Sequence, residues 1–261
     1  MTHNTNGFFT IIDGLDGVGK GEVLNAIVEH LENKKYRVFD LHDYWNEHNL
    51  HPDFINPIFK GKPNPYYVPM DSFDVIVSSE PTYAIVGLAI RNELIAKNNR
   101  DYSARATADG YSLDRLILYK RVILPALEAG KTIIQSRSVS SSIVYQSTQS
   151  TVQEEIPLTI DEIIKLEGNN FALENAPDLF IIPTIKDVEQ IMKRLDARDK
   201  KDDAVFENLD FQLKLKPLYE SDQLRDIFES RGTIVKYLDA GISIEETRKQ
   251  AVDIFASIYG E

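Results

Sequence analysis

The stretch Asp13-Gly14-Leu15-Asp16-Gly17-Val18-Gly19-Lys20, directly behind the apolar run Phe8–Ile12, constrains this chain more than any other. A strand that ends in Gly-x-x-x-x-Gly-Lys is built to hold phosphates. The glycines let successive backbone N–H groups aim inward, the following helix presents its positive end, and the lysine reaches the outer phosphates. An ordinary glycine turn is the simpler reading. Against it stand the buried-strand run before the loop and the amphipathic segment Val23 to Leu31 after it. Gly14, Gly17, Val18, Gly19, Lys20, Gly21 and Glu22 are therefore the candidate residues for holding a nucleotide's phosphates.

Other apolar, β-rich runs recur at Tyr36–Leu41, Phe73–Val77, Thr132–Ile134, Leu179–Ile182 and Thr233–Leu238, separated by segments of helical spacing. Such alternation predicts a mostly parallel sheet covered by helices on both faces, with ligands beyond the carboxyl ends of the strands. Helices are expected at about Ser112 to Glu128, Ile185 to Leu195, Leu209 to Glu229 and Ile244 to Tyr259. In the first of these, Leu113, Leu116, Ile117, Ile123, Leu124 and Leu127 are expected to face inward. With 261 residues and 43% hydrophobic content, one large α/β domain is expected, spanning 1–261.

The net charge of −12 argues against a nucleic-acid partner, because it would repel a phosphate backbone over most of the surface. Small nucleotides remain compatible, since a few local cations bind them. The chain has no cysteine, so disulfides and thiolate metal sites are excluded. With no signal peptide before Phe8 and no apolar stretch of membrane-spanning length, a soluble cytoplasmic protein with no membrane partner is expected.

Two segments resist the strand–helix alternation. Residues 42–71 carry five prolines and many aromatics, including Trp45, Phe54, Phe59, Tyr66 and Tyr67, and read as a long ordered insertion. Within it, His48-x-x-His51-x-Asp53 lacks the wider ligand set of a metal site and reads as a solvated loop. The other segment is the mixed-charge run from Arg194 through Arg198 to Asp203. Most such runs are simply solvated faces.

Beyond the phosphate loop, four pieces fall where strand ends and helix starts should converge: Glu80-Pro81-Thr82, Tyr111 with Asp114-Arg115, Ser136-Arg137-Ser138 with Ser141-Ser142-x-x-Tyr145-Gln146, and the Arg194/Arg198 run. In these pieces, with Gly87-Leu-Ala-Ile-Arg91, Pro125 to Gly130, Pro177-Asp178-Leu179 and Phe206-Glu207, the chain resembles the thymidylate kinases. The resemblance covers nearly the whole chain apart from the insertion. It implies a P-loop NTPase fold: three α/β/α layers, a mostly parallel five-stranded core sheet and a short lid at about 194–208. It also implies transfer of the ATP γ-phosphoryl group to a pyrimidine deoxynucleotide, most often dTMP, with Mg²⁺ accompanying ATP, in a homodimer paired through helices near the acceptor site.

Carried over residue by residue, the resemblance places Asp16 at the sugar 3′-hydroxyl, Tyr111 against the acceptor base, Arg115 at the base edge and Arg137 on the acceptor phosphate. Glu80, Arg91, Ser141 and Tyr145 complete the expected acceptor site. Tyr111 and Arg115 are four apart on one helix and so share a face. A rim tyrosine for Tyr111 and a structural ion pair for Arg137 are the plainer readings. Since Leu15 to Val18 supply no cation, the resemblance assigns the one needed at the migrating phosphoryl to the lid, as Arg194 or Arg198. Lys20, Asp16, Arg194 and Arg198 are thus the expected catalytic residues.

The sequence departs from the family at three places. Ser79 stands where an arginine usually precedes Glu-Pro, Ser136 where an aspartate usually precedes Arg137, and Gly21 where Ser or Thr usually follows the lysine. The last two remove groups that help hold Mg²⁺. Glu22 adds a carboxylate close by, which would either hold the metal through water or repel ATP. Two other functions stay open: a deoxynucleoside kinase, with Glu80 as base toward a 5′-hydroxyl, and a nucleotide-binding module without catalysis.

Overall fold

The computed structural model describes residues 5–153, 157–196, 206 and 208–260. Among these residues there are eight strands: β1 (Phe8–Ile12), β2 (Val38–Asp40), β3 (Ile58–Phe59), β4 (Lys62–Pro63), β5 (Val75–Ser79), β6 (Thr132–Ser136), β7 (Leu179–Thr184) and β8 (Ile234–Asp239). The helices that position the site are α1 (Lys20–Asn33), α2 (Leu41–His48), α3 (Ile85–Ala89), α4 (Ala104–Leu118), α5 (Leu124–Glu128), α6 (Val139–Ser141), α7 (Ser147–Gln153), α8 (Ile160–Lys165), α9 (Glu167–Glu174), α10 (Glu189–Asp196), α11 (Leu209–Tyr219), α12 (Asp222–Glu229) and α13 (Ile244–Tyr259).

Six strands form one parallel sheet in the order β2-β5-β6-β1-β7-β8, one strand more than the five-stranded core expected. The burial of each strand follows from its place. Every residue of β5 is buried, as a strand covered by helices on both faces requires, whereas the edge strand β8 buries only Val235 and Leu238. Strand order reverses between β6, β1 and β7, so the carboxyl ends of β1 and β6 flank a crevice. Ile12 and Ser79 both register with Ser136 there, which aligns three strand ends along one edge.

The helix expected at Ser112 to Glu128 begins earlier, at Ala104, where Ser103 accepts the Ala106 N–H at 3.1 Å as N-cap. It is also interrupted by a π-helical turn at Tyr119–Ile123. Pro125 opens α5, has no N–H to donate and crowds the carbonyl four residues back, so the ladder widens to accommodate it. The widened turn shifts the phase of the apolar face. Leu113, expected inward, is 50% exposed, while Ile123 and Leu127 are fully buried.

The helix expected at Leu209 to Glu229 is two helices, because Ser221 breaks the run and caps α12 through the Leu224 N–H at 3.1 Å. The insertion is ordered by the β3–β4 hairpin and by α2, whose Trp45 is fully buried. His51 is not solvated: it is buried and its Nδ1 accepts from Trp45 Nε1 at 3.2 Å. Burial drives its imidazole down to about 3, so it is neutral. Asp53 instead accepts from the backbone of Ile55 and Asn56.

Candidate active site

A cavity of about 640 Å³ opens over the carboxyl ends of β1, β2, β5 and β6, and Gly17, Lys20 and Gly21 of the phosphate loop form one wall. Gly17 and Gly19 hold φ of 75° and 110°, values that L side chains resist. They curl the loop so that Lys20 Nζ donates to the carbonyls of Gly14 at 2.9 Å and Leu15 at 2.7 Å. Asp13 braces the loop from beneath. Its carboxylate accepts from the Gly14 N–H at 2.8 Å, Ser140 Oγ at 2.6 Å, Ser141 Oγ at 2.8 Å and Tyr219 Oη at 3.1 Å. Val18 is fully buried and its carbonyl faces α10.

Opposite the loop stands Arg137, which directly follows β6 and adopts a left-handed φ of 66°. Non-glycine residues carry such strain chiefly where the surroundings enforce it. Here the backbone N–H is tied to the Ile12 carbonyl at 2.9 Å, and the guanidinium turns back to pair with Asp16 and to donate to Ser141 Oγ at 3.3 Å. Burial opposes ionisation of Asp16, but Arg137 and Lys20, the latter 3.7 Å away, outweigh it and hold the carboxyl at about 2. Burial likewise disfavours the charge on Arg137, yet Asp16 overcomes it and keeps the guanidinium protonated. Gln212 of α11 clamps the same carboxylate, accepting the Asp16 N–H at 3.0 Å and donating to Oδ2 at 3.3 Å.

Tyr145 lies against Arg137, 5.3 Å from ring centre to guanidinium, and burial raises its hydroxyl well above the ordinary value. Tyr111 of α4 reaches the same cavity, and burial raises its hydroxyl to about 12 against the pull of Arg137 and Arg91. Arg91 stacks 3.7 Å over the Tyr83 ring and donates to the carbonyls of Pro81 and Thr82. The structure therefore gathers Asp16, Lys20, Glu80, Arg91, Tyr111, Arg137, Ser141 and Tyr145 around one cavity.

Three expected site residues point elsewhere. Arg115 is fully buried beneath the cavity wall: Nε donates to Glu80 at 2.8 Å, and its remaining N–H groups go to Asn169, to Ser142 at 3.2 Å and to Glu80 again. With its donors committed, it holds α4 to the Glu80 turn rather than reading a base edge. Arg194 donates to the carbonyls of Val18 at 3.4 Å and Ala240 at 3.0 Å, behind the loop rather than into the cavity. Glu22 pairs with Arg248 of α13 at 3.1 Å, a cation that also holds Glu29, so its carboxylate faces the helix pair and not the phosphate wall. Arg198 lies outside the described residues.

Sequence reasoning missed the pair Asp40 and His42, which face the cavity from β2 and α2, and Gln212. The carboxyl end of a parallel strand is where sites form, so Asp40-Leu41-His42 carried a signal. Gln212 carried none. Among the described residues no group of three His, Cys, Asp or Glu side chains is placed to hold a metal ion, and no helix is long and apolar enough to cross a membrane.

Comparison with known proteins fits this geometry. The thymidylate kinase family model matches residues 67–251. The thymidylate kinase of Ligilactobacillus salivarius is 26% identical over 95% of this chain and 97% of its own length. That of Caldicellulosiruptor saccharolyticus is 32% identical over 80% of this chain and 79% of its own. The solved thymidylate kinase of Candida albicans, 20% identical, superposes with a TM-score of 0.61 over 98% of this chain and 93% of its own, which shows the shared fold. Phosphate loop, strand-end arginine and family match converge: this chain belongs to the thymidylate kinase family.

Proposed function

We propose that this chain is a nucleoside-monophosphate kinase that moves the γ-phosphoryl group of ATP to dTMP, giving dTDP. The observation that carries the reading is the juxtaposition of Lys20 and Arg137 across Asp16, within one cavity that also holds Tyr111. In this reading the loop N–H groups and Lys20 cradle the ATP phosphates, Arg137 grips the acceptor phosphate, Asp16 accepts from the sugar 3′-hydroxyl and Tyr111 stacks on the base. Arg137 then shares its guanidinium between Asp16 and the acceptor. Arg198 is the remaining candidate for the lid cation.

The described residues do not make a protein-held magnesium site. Gly21 offers no side-chain oxygen, Ser136 only a neutral hydroxyl, and both oxygens of Asp13 are already engaged. Mg²⁺ accordingly belongs to the substrate, arriving with ATP and retaining its waters. The homodimer that the family implies has exposed apolar surface available at Leu113 of α4, and the reading places the enzyme in the cytoplasm.

A deoxynucleoside kinase would need Glu80 free to act as base. Glu80 instead accepts from Arg115 and from Gln135 Nε2 at 3.1 Å, which favours the monophosphate reading. Turnover with dTMP against thymidine, each with Mg-ATP, tests it. Product with dTMP alone supports the proposal; product with thymidine alone replaces it, and none with either leaves a nucleotide-binding module.

A further inference from the structure

Asp40, His42 and Ser79 form a hydrogen-bonded chain on the cavity wall that the reading above does not use. Asp40 ends β2, Ser79 ends β5 and Ser136 ends β6; Asp40 registers with Val77, and Ser79 with Ser136. Neighbouring strands lie about 4.8 Å apart. His42, Ser79, Ser136 and Arg137 thus follow one another along a single sheet edge, and all four line the same cavity.

The imidazole is held at both nitrogens. Nδ1 lies 2.6 Å from Asp40 Oδ1 and Nε2 lies 2.8 Å from Ser79 Oγ. A carboxylate only accepts, so Nδ1 carries a proton, and Nε2 is the nitrogen turned toward Ser79 and the cavity. The ring is wedged edge-on against Trp45 at 5.5 Å and Tyr83 at 5.8 Å, and the face of Tyr83 carries Arg91. The side chain nevertheless keeps 31% of its surface exposed. Capping does not need this ring: Asp40 already caps α2 through the His42 backbone N–H at 2.8 Å.

We propose that His42 binds the phosphoryl group of the acceptor, supplying from α2 the cationic donor that Ser79 does not carry. On binding, Nε2 turns from Ser79 to donate to a phosphate oxygen while Asp40 retains Nδ1 and fixes the ring. Ser79 then serves as the partner of Nε2 until the phosphate takes its place. The proposal rests on the dTMP-kinase reading and assigns a binding role to the start of the 42–71 segment.

The test compares dTMP with thymidine, which differ by the phosphate alone. Wild type and H42Q are measured by calorimetric binding of each ligand and by steady-state turnover of dTMP with Mg-ATP. H42Q is expected to weaken dTMP about tenfold in both Kd and KM, to change kcat by less than about threefold, and to leave thymidine within about twofold. Unchanged dTMP affinity overturns the proposal, and so does equal weakening of both ligands, which marks a change of pocket shape. H42N, whose amide can still donate to Asp40, takes the same measurements should H42Q fold poorly. If the wild type itself neither prefers dTMP to thymidine nor turns it over, the kinase reading fails; if it does both and H42Q is unaltered, only the role of His42 falls.

Discussion

The guanidinium of Arg115 lies 2.6 Å from the carboxylate of Glu80, and water reaches neither side chain. Thr82, two residues on, donates from its N–H and its Oγ to Asp114, each at 2.8 Å, so consecutive residues of α4 lock the same turn twice. The turn carries the Glu80 and Pro81 side of the cavity, which makes Arg115 a positioning residue. Removing one partner of a buried pair strands the other. Arg115→Met should therefore cost about 3–5 kcal/mol in urea unfolding. A loss below about 1 kcal/mol would show that the site relaxes freely.

Glu80 also sets a pH dependence. Burial raises its carboxyl to about 7 from an ordinary 4.5, in spite of Arg115. The folded state thus holds this proton more tightly than the unfolded chain. The resulting stabilisation is complete below about pH 4.5 and is lost as pH rises through about 7. Thermal melts between about pH 5 and pH 8 should show this decline in the wild type, and Glu80→Gln should flatten it. An equal slope in both proteins would contradict the assignment.

Glu22 should prove dispensable for metal use, since Arg248 engages its carboxylate on the far side of α1. Glu22→Gln is expected to keep the Mg²⁺ dependence of turnover within about twofold and, as the pair is partly exposed to water, to cost less than about 1 kcal/mol. A Mg²⁺ titration decides this. A marked rightward shift would restore the carboxylate as a metal contact.

What the sequence made legible and what it hid follow from the range of the interactions. The phosphate loop, its helix and the strand-end position of Arg137 are local, encoded in glycine spacing and apolar runs, and they stand where expected. Asp16 and Arg137 are 121 residues apart, yet the loop and strand motifs place both at neighbouring strand ends. Arg115 was misread because helical spacing puts it on the face of Tyr111 but says nothing of how deep that face lies. Glu22 was misread because its partner sits 226 residues away on a helix whose packing no local pattern reports. All six strands of the main sheet were legible as apolar runs, β2 within Tyr36–Leu41, and the count of five came from the resemblance alone; the π-helical turn was hidden because one proline shifts a helix by only a fraction of a turn.

Tyr111 provides a test of the acceptor side. Stacking holds substrate and transition state alike, so Tyr111→Ala should raise the KM for dTMP about tenfold while changing kcat by less than about threefold. The same variant should lose the thermal protection that dTMP gives the wild type. Equal protection of the wild type by AMP or GMP would remove Tyr111 from a pyrimidine site.

Gly17 couples the phosphate loop to α10. Its φ is 75°, and a Cβ placed on it would lie 2.8 Å from Leu195 Cγ and 2.9 Å from Ile191 Cγ2. One is the branch carbon of Leu195 and the other a methyl fixed to the branched Cβ of the fully buried Ile191, so α10 must move for an alanine to fit. The left-handed backbone adds roughly 1–2 kcal/mol of strain for any side chain. Gly17→Ala should therefore raise the KM for ATP about tenfold and lower the melting temperature, while dTMP affinity stays within about twofold because Arg137 and Tyr111 are supported from β6 and α4. Pairing it with Leu195→Ala removes the clash with Leu195 but neither the one with Ile191 nor the backbone strain, and should recover ATP affinity only in part. ATP binding by Gly17→Ala at the wild-type level would show that the loop and α10 move independently.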